Sequence, residues 1–396
     1  MSSNLLGPQS ITYVSTNRAH HFNYAIGLHE LGMLMAFITG ASRLRSPRPS
    51  TLGNRFIRRD LIQSLYLASH RLNNRAITSY FDKLSTRYIG RSSHRYAVES
   101  EAFLYYRTTG LDPASKIKKL GVPVQCIMEE VNTHVEDCIA IIEDECKRCG
   151  VDPSNLRNPD HYLRLRCYEI SDHILCPSQY VYNSFRIRGF PESKLIVNNF
   201  GVDINTKNIA NRKETPIDKN GVFRILFVGQ IQIRKGLRYL IKAFEMLRYS
   251  RKELMIVGPK VSPTGLETIS IPENVVFTGP LHGSALAKAY SDASVFVLPS
   301  LEEGLALVLA EAISYGLPVI ATTSSGAEDI ISNEINGYII PPRDHLAILD
   351  RLLRCLDERC PIQKDSIQRT GQSFVDWKNS SRLLVDKINA KRVNAY

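Results

Sequence analysis

Short apolar runs alternating with helical patterns govern what this chain can fold into. Six such runs stand in order over 223–228, 254–257, 275–278, 295–298, 318–321 and 337–340. Helical patterns fall between them, at roughly 235–249, 284–292, 305–315 and 326–332. Runs this short and this continuously apolar read as strands buried on both faces, which a parallel sheet covered by helices provides. The first half repeats the arrangement. Strand patterns cover 11–15, 33–39, 101–107, 123–128, 173–176 and 195–198, with helical patterns over 21–31, 113–120 and 161–171. Residues 55–72 place Ile57, Leu61, Leu65, Ala68 and Leu72 on one helical face, with Arg55, Arg58, Arg59 and Gln63 largely off it. That segment reads as a helix packing on the core, with a membrane-resting helix as the rarer alternative.

The expected fold class is therefore α/β: two doubly wound, Rossmann-like domains facing each other across a cleft. The boundaries fall at 1–203 for the N-terminal domain, 204–221 for a polar linker and 222–370 for the C-terminal domain. Residues 371–396 are a helical segment that could pack back on the N-terminal domain. In such units ligands bind beyond the carboxyl ends of the strands, so the cleft is the default site.

Charge separates the halves. Residues 1–120 hold 17 Lys and Arg against 6 Asp and Glu, which accounts for the whole net charge of +11. The densest stretch is 41–95, where only Asp60 and Asp82 oppose the cations. A one-sided field favours an anionic partner, either an acceptor or a membrane surface, with nucleic acid ranked behind them and a merely solubilising face left open. No apolar stretch is long enough to span a bilayer and the first residues lack a signal-peptide pattern, so the expected location is cytoplasmic, with peripheral membrane association open. The eight cysteines follow no framework spacing; Cys146 and Cys149 lie in a charged helical pattern and read as ordinary helix residues.

Chemistry concentrates in two stretches. In LPSLEEGLALVLAEA, residues 298–312, an apolar strand ends at Pro299 and a helix begins near Leu305. Glu303 sits in the turn and Glu311 two turns into the helix. The free N–H groups of residues 304–307 would form an anion site at the positive end of the helix dipole. In FVGQIQIRKG, residues 227–236, a strand ends at Gly229 and the following loop carries Arg234 and Lys235. Two cations there would neutralise a departing diphosphate.

These residues resemble a known family: retaining glycosyltransferases of the large bacterial family 4, with the GT-B fold. Glu303 and Glu311 match its Glu, seven residues, Glu element, and Lys235-Gly236 its Lys-Gly pair. Gly316-Leu-Pro-Val-Ile-Ala321, Gly326 and Asn336-Gly337 match the segments that follow; Glu169-Ile-Ser-Asp172, Ser178 and Asn199-Phe-Gly-Val-Asp203 resemble the end of its N-terminal domain. The resemblance implies a nucleoside-diphosphate sugar as donor and a glycan, lipid-linked or other acceptor, with neither cofactor nor metal. By it, Glu303 contacts the donor sugar, Glu311 the ribose, and Arg234 and Lys235 the diphosphate. Gly229, Gln230, Gly304 and the backbone at Leu305, Ala306 and Leu307 complete the donor side. The family usually has Arg where Gln230 stands, so Arg234 supplies that charge. Many members read Gly-Phe-Gly where this chain has Gly304-Leu305-Ala306, and the extra methyl narrows the approach to phosphate. The glycine-rich loop after the first strand is replaced by Thr16-Asn-Arg-Ala-His-His21. Glu129-Glu-Val-Asn-Thr-His134 resembles a segment that places a His in the cleft, which makes His134 an acceptor-side candidate ahead of Arg18, His20 and His21.

The alternatives are a GT-B nucleic-acid glucosyltransferase, a sugar-nucleotide epimerase and an inactive sugar-binding protein. A nicotinamide dehydrogenase is disfavoured because no G-x-G-x-x-G follows the first strand of either unit.

Overall fold

A computed structural model describes residues 10–43, 47–69, 74–153, 161–202, 217–218, 220–357, 362, 366–367 and 374–393. Most of the expected linker at 204–221 lies outside them, as do residues 368–373 and 394–396.

The N-terminal domain runs β1 (Ile11–Ser15), α1 (His21–Glu30), β2 (Leu34–Thr39), β3 (Phe56–Arg58), α2 (Leu61–Ser69), α3 (Arg75–Glu99), β4 (Ala102–Tyr106), α4 (Leu111–Leu120), β5 (Gln125–Glu129), α5 (Val135–Cys149), α6 (His161–Ile170), β6 (His173–Cys176), α7 (Gln179–Ile187) and β7 (Leu195–Val197). Its seven strands form one parallel sheet in the order β3-β2-β1-β4-β5-β6-β7. The C-terminal domain runs β8 (Phe223–Val228), α8 (Leu237–Met246), β9 (Lys252–Val257), β10 (Val275–Gly279), α9 (Gly283–Asp292), β11 (Val295–Leu298), α10 (Leu307–Ser314), β12 (Val319–Thr322), β13 (Gly337–Ile340) and α11 (His345–Leu356). Its parallel sheet has the order β10-β9-β8-β11-β12-β13. Strand order therefore reverses twice, between β1 and β4 and between β8 and β11, and each reversal opens a crevice at the carboxyl ends of those strands.

The central strands are apolar because helices cover both faces: all four residues of β11 are fully buried. The last helix, α12 (Trp377–Val393), belongs to the N-terminal side in space. It lies along α1, where Trp377 meets Tyr24 edge-on at 5.4 Å. Asn198 donates its amide to the Ser380 carbonyl at 3.2 Å, and Lys387 reaches the Val197 carbonyl at 2.7 Å.

The structure corrects the reading of 55–72 as one helix. Phe56–Arg58 is an edge strand paired with β2, and the helix begins only at Leu61. Most of the proposed core stripe is outside the core: Leu61 is 72% and Leu65 49% exposed and Ala68 is exposed, whereas Gln63 is buried and accepts a hydrogen bond from Ser85 at 2.6 Å. Of that stripe only Ile57 packs against the core, and Leu72 lies outside the described residues. A three-residue strand is too short for its alternation to stand out against a helical period. The helical pattern over 326–332 is a single 3₁₀ turn, Ala327–Asp329. No helix among the described residues is long and apolar enough to cross a membrane.

Candidate active site

The crevice between β8 and β11 gathers four charged side chains. The loop after β8 makes one tight turn over Ile233–Lys235 and ends at Gly236, whose φ is +62° and whose missing side chain leaves room for the Pro299 carbonyl. This close approach ties the turn to the loop after β11, and Leu301 donates its N–H to the Arg234 carbonyl at 2.8 Å. Glu303 then accepts hydrogen bonds from Arg234 at 2.8 Å and from Lys235. Burial alone would raise the Glu303 carboxyl, but Lys235 and Arg234 outweigh it and hold the group below its ordinary value. Lys235 is itself buried; desolvation lowers its ammonium against the pull of Glu303. A buried, paired cation whose neutral form is brought closer responds strongly to an incoming anion.

Glu302, the other half of the acidic pair, faces the opposite domain. It is fully buried and accepts from the Thr133 backbone N–H at 3.0 Å, the Thr133 hydroxyl at 3.1 Å and the Asn132 amide at 3.0 Å. Gly304 follows with no room for a β-carbon, because the Val131 carbonyl occupies that space. The Ser178 hydroxyl caps α7 and donates to the Gly304 carbonyl at 2.6 Å. Asp329 closes the seam by accepting from the Gln179 N–H and the Asn199 amide, each at 2.9 Å. The loop after β11 is thus gripped by the N-terminal domain on one side and by Arg234 and Lys235 on the other.

Some residues singled out from the sequence stand elsewhere. The helix after β11 starts at Leu307, two residues later than expected, and the Ala306 N–H is already given to the Ser325 carbonyl at 3.3 Å. The set of free N–H groups over 304–307 is therefore incomplete, although Leu307 at the helix start keeps an N–H outside the helical ladder. Leu305 and Ala306 are buried. Gly229 donates to the Val257 carbonyl at 2.9 Å, and Gln230 is exposed and accepts from Gln232 at 3.0 Å rather than joining the charged group. Glu311 accepts from the Tyr290 hydroxyl at 2.9 Å; desolvation raises its carboxyl, against that hydrogen bond. His134 caps α5, its Nδ1 accepting from the Glu136 N–H at 3.4 Å. Its ring packs on Tyr168, Phe185 and Phe190, and burial lowers its pKa to about 4.

The N-terminal crevice holds a network that sequence spacing did not reveal. Glu129 at the end of β5 lies 2.6 Å from His20 Nε2 and accepts from the Tyr13 hydroxyl at 2.7 Å; that hydroxyl also meets His21 Nδ1 at 2.6 Å. His20, His21 and Glu129 offer ligand atoms within 4.8 Å of one another, although the sequence shows no cluster with metal-ligand spacing. Both Glu129 oxygens are already engaged within the protein, whereas the buried Nε2 of His21 meets no hydrogen-bond partner among the described residues. Burial, reinforced by His20, lowers His21 to about 4, and it is neutral at pH 7. Glu302 was likewise missed; its only sequence signal is adjacency to Glu303.

Comparison with known proteins fits this geometry. Residues 222–358 match the family described as Glycosyl transferases group 1. An uncharacterized glycosyltransferase of the archaeon Methanocaldococcus jannaschii is 35% identical over 137 residues, 33% of this chain and 35% of that protein. The curated relatives come from archaea, plants and bacteria, and the chain spans less than two thirds of the length of each of the first eight. Among solved structures, a sucrose-phosphate synthase from Thermosynechococcus elongatus superposes with a TM-score of 0.68 at 16% identity, covering 98% of this chain and all of that one. An Anabaena protein, HepE, in complex with UDP and glucose gives 0.64 at 13%, covering 96% of this chain and all of that one. The chain has the fold of the GT-B glycosyltransferases, and its C-terminal domain carries the family signature of glycosyl transferases group 1.

Proposed function

We propose that the chain is a retaining, metal-independent glycosyltransferase that moves a sugar from a nucleoside-diphosphate sugar to an acceptor held by the N-terminal domain. The observation that carries this reading is the convergence of Arg234 and Lys235 on Glu303, at the carboxyl ends of β8 and β11 and inside the family match. The donor diphosphate would take over the two cations, leaving Glu303 to bind the sugar hydroxyls beside the reacting carbon. Glu311 would hold the ribose. The bond between anomeric carbon and phosphate oxygen breaks, the bond to the acceptor oxygen forms on the same face, and the departing phosphate oxygen takes the acceptor proton. Buried Lys235 and partly buried Arg234 would supply the charge stabilisation that a divalent ion supplies elsewhere. The HepE complex with UDP and glucose supports a nucleotide sugar as ligand.

The basic face has a second feature. Ile77, Tyr80, Leu84 and Tyr88 are exposed in one stripe along α3, beside exposed Leu61 and Leu65 of α2. Apolar side chains set among arginines favour an anionic lipid surface over nucleic acid, whose backbone offers them nothing to bury against.

The test is incubation with a panel of labelled nucleotide sugars and of glycan, lipid and DNA acceptors, with and without EDTA. Transfer that keeps the anomeric configuration and survives EDTA is expected. Failure of UDP, GDP and ADP all to bind in calorimetry would overturn the reading.

A further inference from the structure

The N-terminal crevice, between β1 and β4, opens into a cavity of about 290 Å³. Thr16 lines it from the end of β1, Tyr106 and Arg107 from the end of β4, Lys83 and Arg87 from α3, and Arg164 and Arg166 from α6. Five cations thus face one space. Two acids share the lining, Asp82 and Asp112, and Asp112 is engaged by Arg91 at 3.0 Å. The buried Glu130 behind the wall is bound by Arg164 and lies 3.6 Å from Arg107. Arg87 and Arg166 make no ion pair among the described residues.

Arg107 is held in an unusual way. Its φ is +50°, a region costly for a side chain of this size, and its guanidinium lies over the Tyr106 ring at 5.1 Å. It donates to Asn132 at 2.5 Å, and Asn132 donates to Glu302 of the other domain. The cavity wall and the loop that carries Glu303 are therefore two hydrogen bonds apart.

Like charges lining one half-open cavity repel one another until an anion enters, and a neutral sugar would not relieve them. Guanidinium forks match the oxygens of a phosphate in number and direction. We propose that this cavity is the acceptor site and that it selects an acceptor bearing a phosphate group, with Arg87 and Arg166 as the recognising cations. The inference rests on the glycosyltransferase reading for the word acceptor; the anion site itself stands on the cavity.

The test separates the two. The protein is first saturated with whichever of UDP, GDP or ADP binds, so that the C-terminal crevice is filled. It is then titrated with glycerol 3-phosphate, with glycerol, with glucuronate, and with monomeric short-chain phosphatidic acid, which offers the cavity a lipid phosphate without a charged membrane surface. Binding of glycerol 3-phosphate or of the short-chain phosphatidic acid, but not of glycerol, is expected; which arm responds tells a soluble from a lipid-borne phosphate. The double variant Arg87→Gln, Arg166→Gln, both at exposed positions, should lose this binding by about tenfold or more, as for lost charge-assisted hydrogen bonds, and keep its nucleotide affinity. Glucuronate bound as tightly as glycerol 3-phosphate, no phosphate binding in either arm, or phosphate binding unchanged in the double variant would each overturn the inference while leaving the donor site standing. Absence of nucleotide binding with phosphate binding intact would instead strike the glycosyltransferase reading.

Discussion

Thr133 gives both its backbone N–H and its hydroxyl to one oxygen of Glu302, at 3.0 and 3.1 Å, across the boundary between the two domains. Glu302 is fully buried, so this contact sets how closely the two crevices face each other. In Glu302→Ala the Thr133 donors lose their acceptor and Arg234 loses one of its two acidic neighbours. Leaving buried donors unmet costs about 1–3 kcal/mol. Denaturant unfolding should register that loss, and small-angle scattering should show a wider particle. An unchanged scattering profile with unchanged stability would remove the clamp.

Arg234 and Lys235 are expected to act on turnover. Lys235→Ala and Arg234→Ala should each lower the transfer rate by about a hundred- to a thousand-fold, the usual effect of removing one stabiliser of a developing anion. Glu303→Gln should depress turnover while nucleoside diphosphate affinity changes little, because this residue is assigned to the sugar. Steady-state rates together with calorimetry decide. Wild-type turnover in both folded cation variants would refute the diphosphate assignment.

Glu311 should behave in the opposite sense to Glu303. Its carboxylate is held by Tyr290 on the face of α10, and the assignment is to the ribose. Glu311→Gln should weaken nucleoside diphosphate binding by roughly tenfold, as for one charge-assisted hydrogen bond, and leave turnover at saturating donor closer to normal. A variant with full affinity and lost turnover would exchange the two roles.

The strands were readable because their environment is uniform. A strand buried on both faces is apolar along almost all its length, Arg224 near the start of β8 being an exception paired with Glu253, and β8, β11 and β13 fell where their runs stood. The charged loops followed, since a strand end plus a Lys-Gly or Glu-Glu pair marks a carboxyl-end crevice. What sequence could not show is partnership across the fold. Glu302 meets Thr133 and Glu129 meets His20 across separations that no local period encodes. The 25-residue helix α3 escaped for another reason: its buried positions include Ser85, Gly90 and Ser93 while Tyr80 and Leu84 face outward, so the hydrophobic pattern is partly inverted. His134 sits beside the cleft in sequence, yet its ring turns into an aromatic cluster.

Acid should destabilise the fold in a defined window. His21 and His134 titrate at about 4 when folded, lowered mainly by burial, against an ordinary value of 6.5. Between these values the unfolded chain binds protons that the native state refuses, so stability rises with pH. It is fully present above 6.5 and lost progressively as pH falls toward 4, by on the order of 2–3 kcal/mol for each histidine. Glu303 acts lower, because its depressed carboxyl loses its contribution only as pH falls below the ordinary range for Glu. His134→Asn keeps a capping oxygen for α5 and removes one titrating group. Denaturant unfolding at pH 7, 5.5 and 4.5 should give a shallower loss for the variant, and parallel curves would dismiss the His134 contribution.

The basic face should bind anionic membranes by two additive means. Arginines near an anionic surface contribute about 1 kcal/mol each, and this part fades as the Debye length falls from about 10 Å at 0.1 M salt to about 3 Å at 1 M. Leu61, Leu65 and Tyr80, 72%, 49% and 63% exposed, add an apolar part that salt does not screen. Vesicles containing phosphatidylglycerol should therefore sediment the protein strongly at low salt and weakly but measurably at high salt, and neutral vesicles should show only that weak remainder at either salt. Leu61→Ser with Leu65→Ser should abolish the salt-resistant remainder alone, whereas replacing Arg55, Arg58 and Arg59 with Gln should remove mainly the salt-sensitive part. Nucleotide affinity should be unchanged in both variants, since those residues lie in the other domain. Duplex DNA carries the same sign of charge and belongs in the same experiment. DNA binding that outlasts high salt, together with sugar transfer onto the DNA, would replace the membrane reading, because a purely electrostatic encounter with a duplex weakens steeply as salt rises.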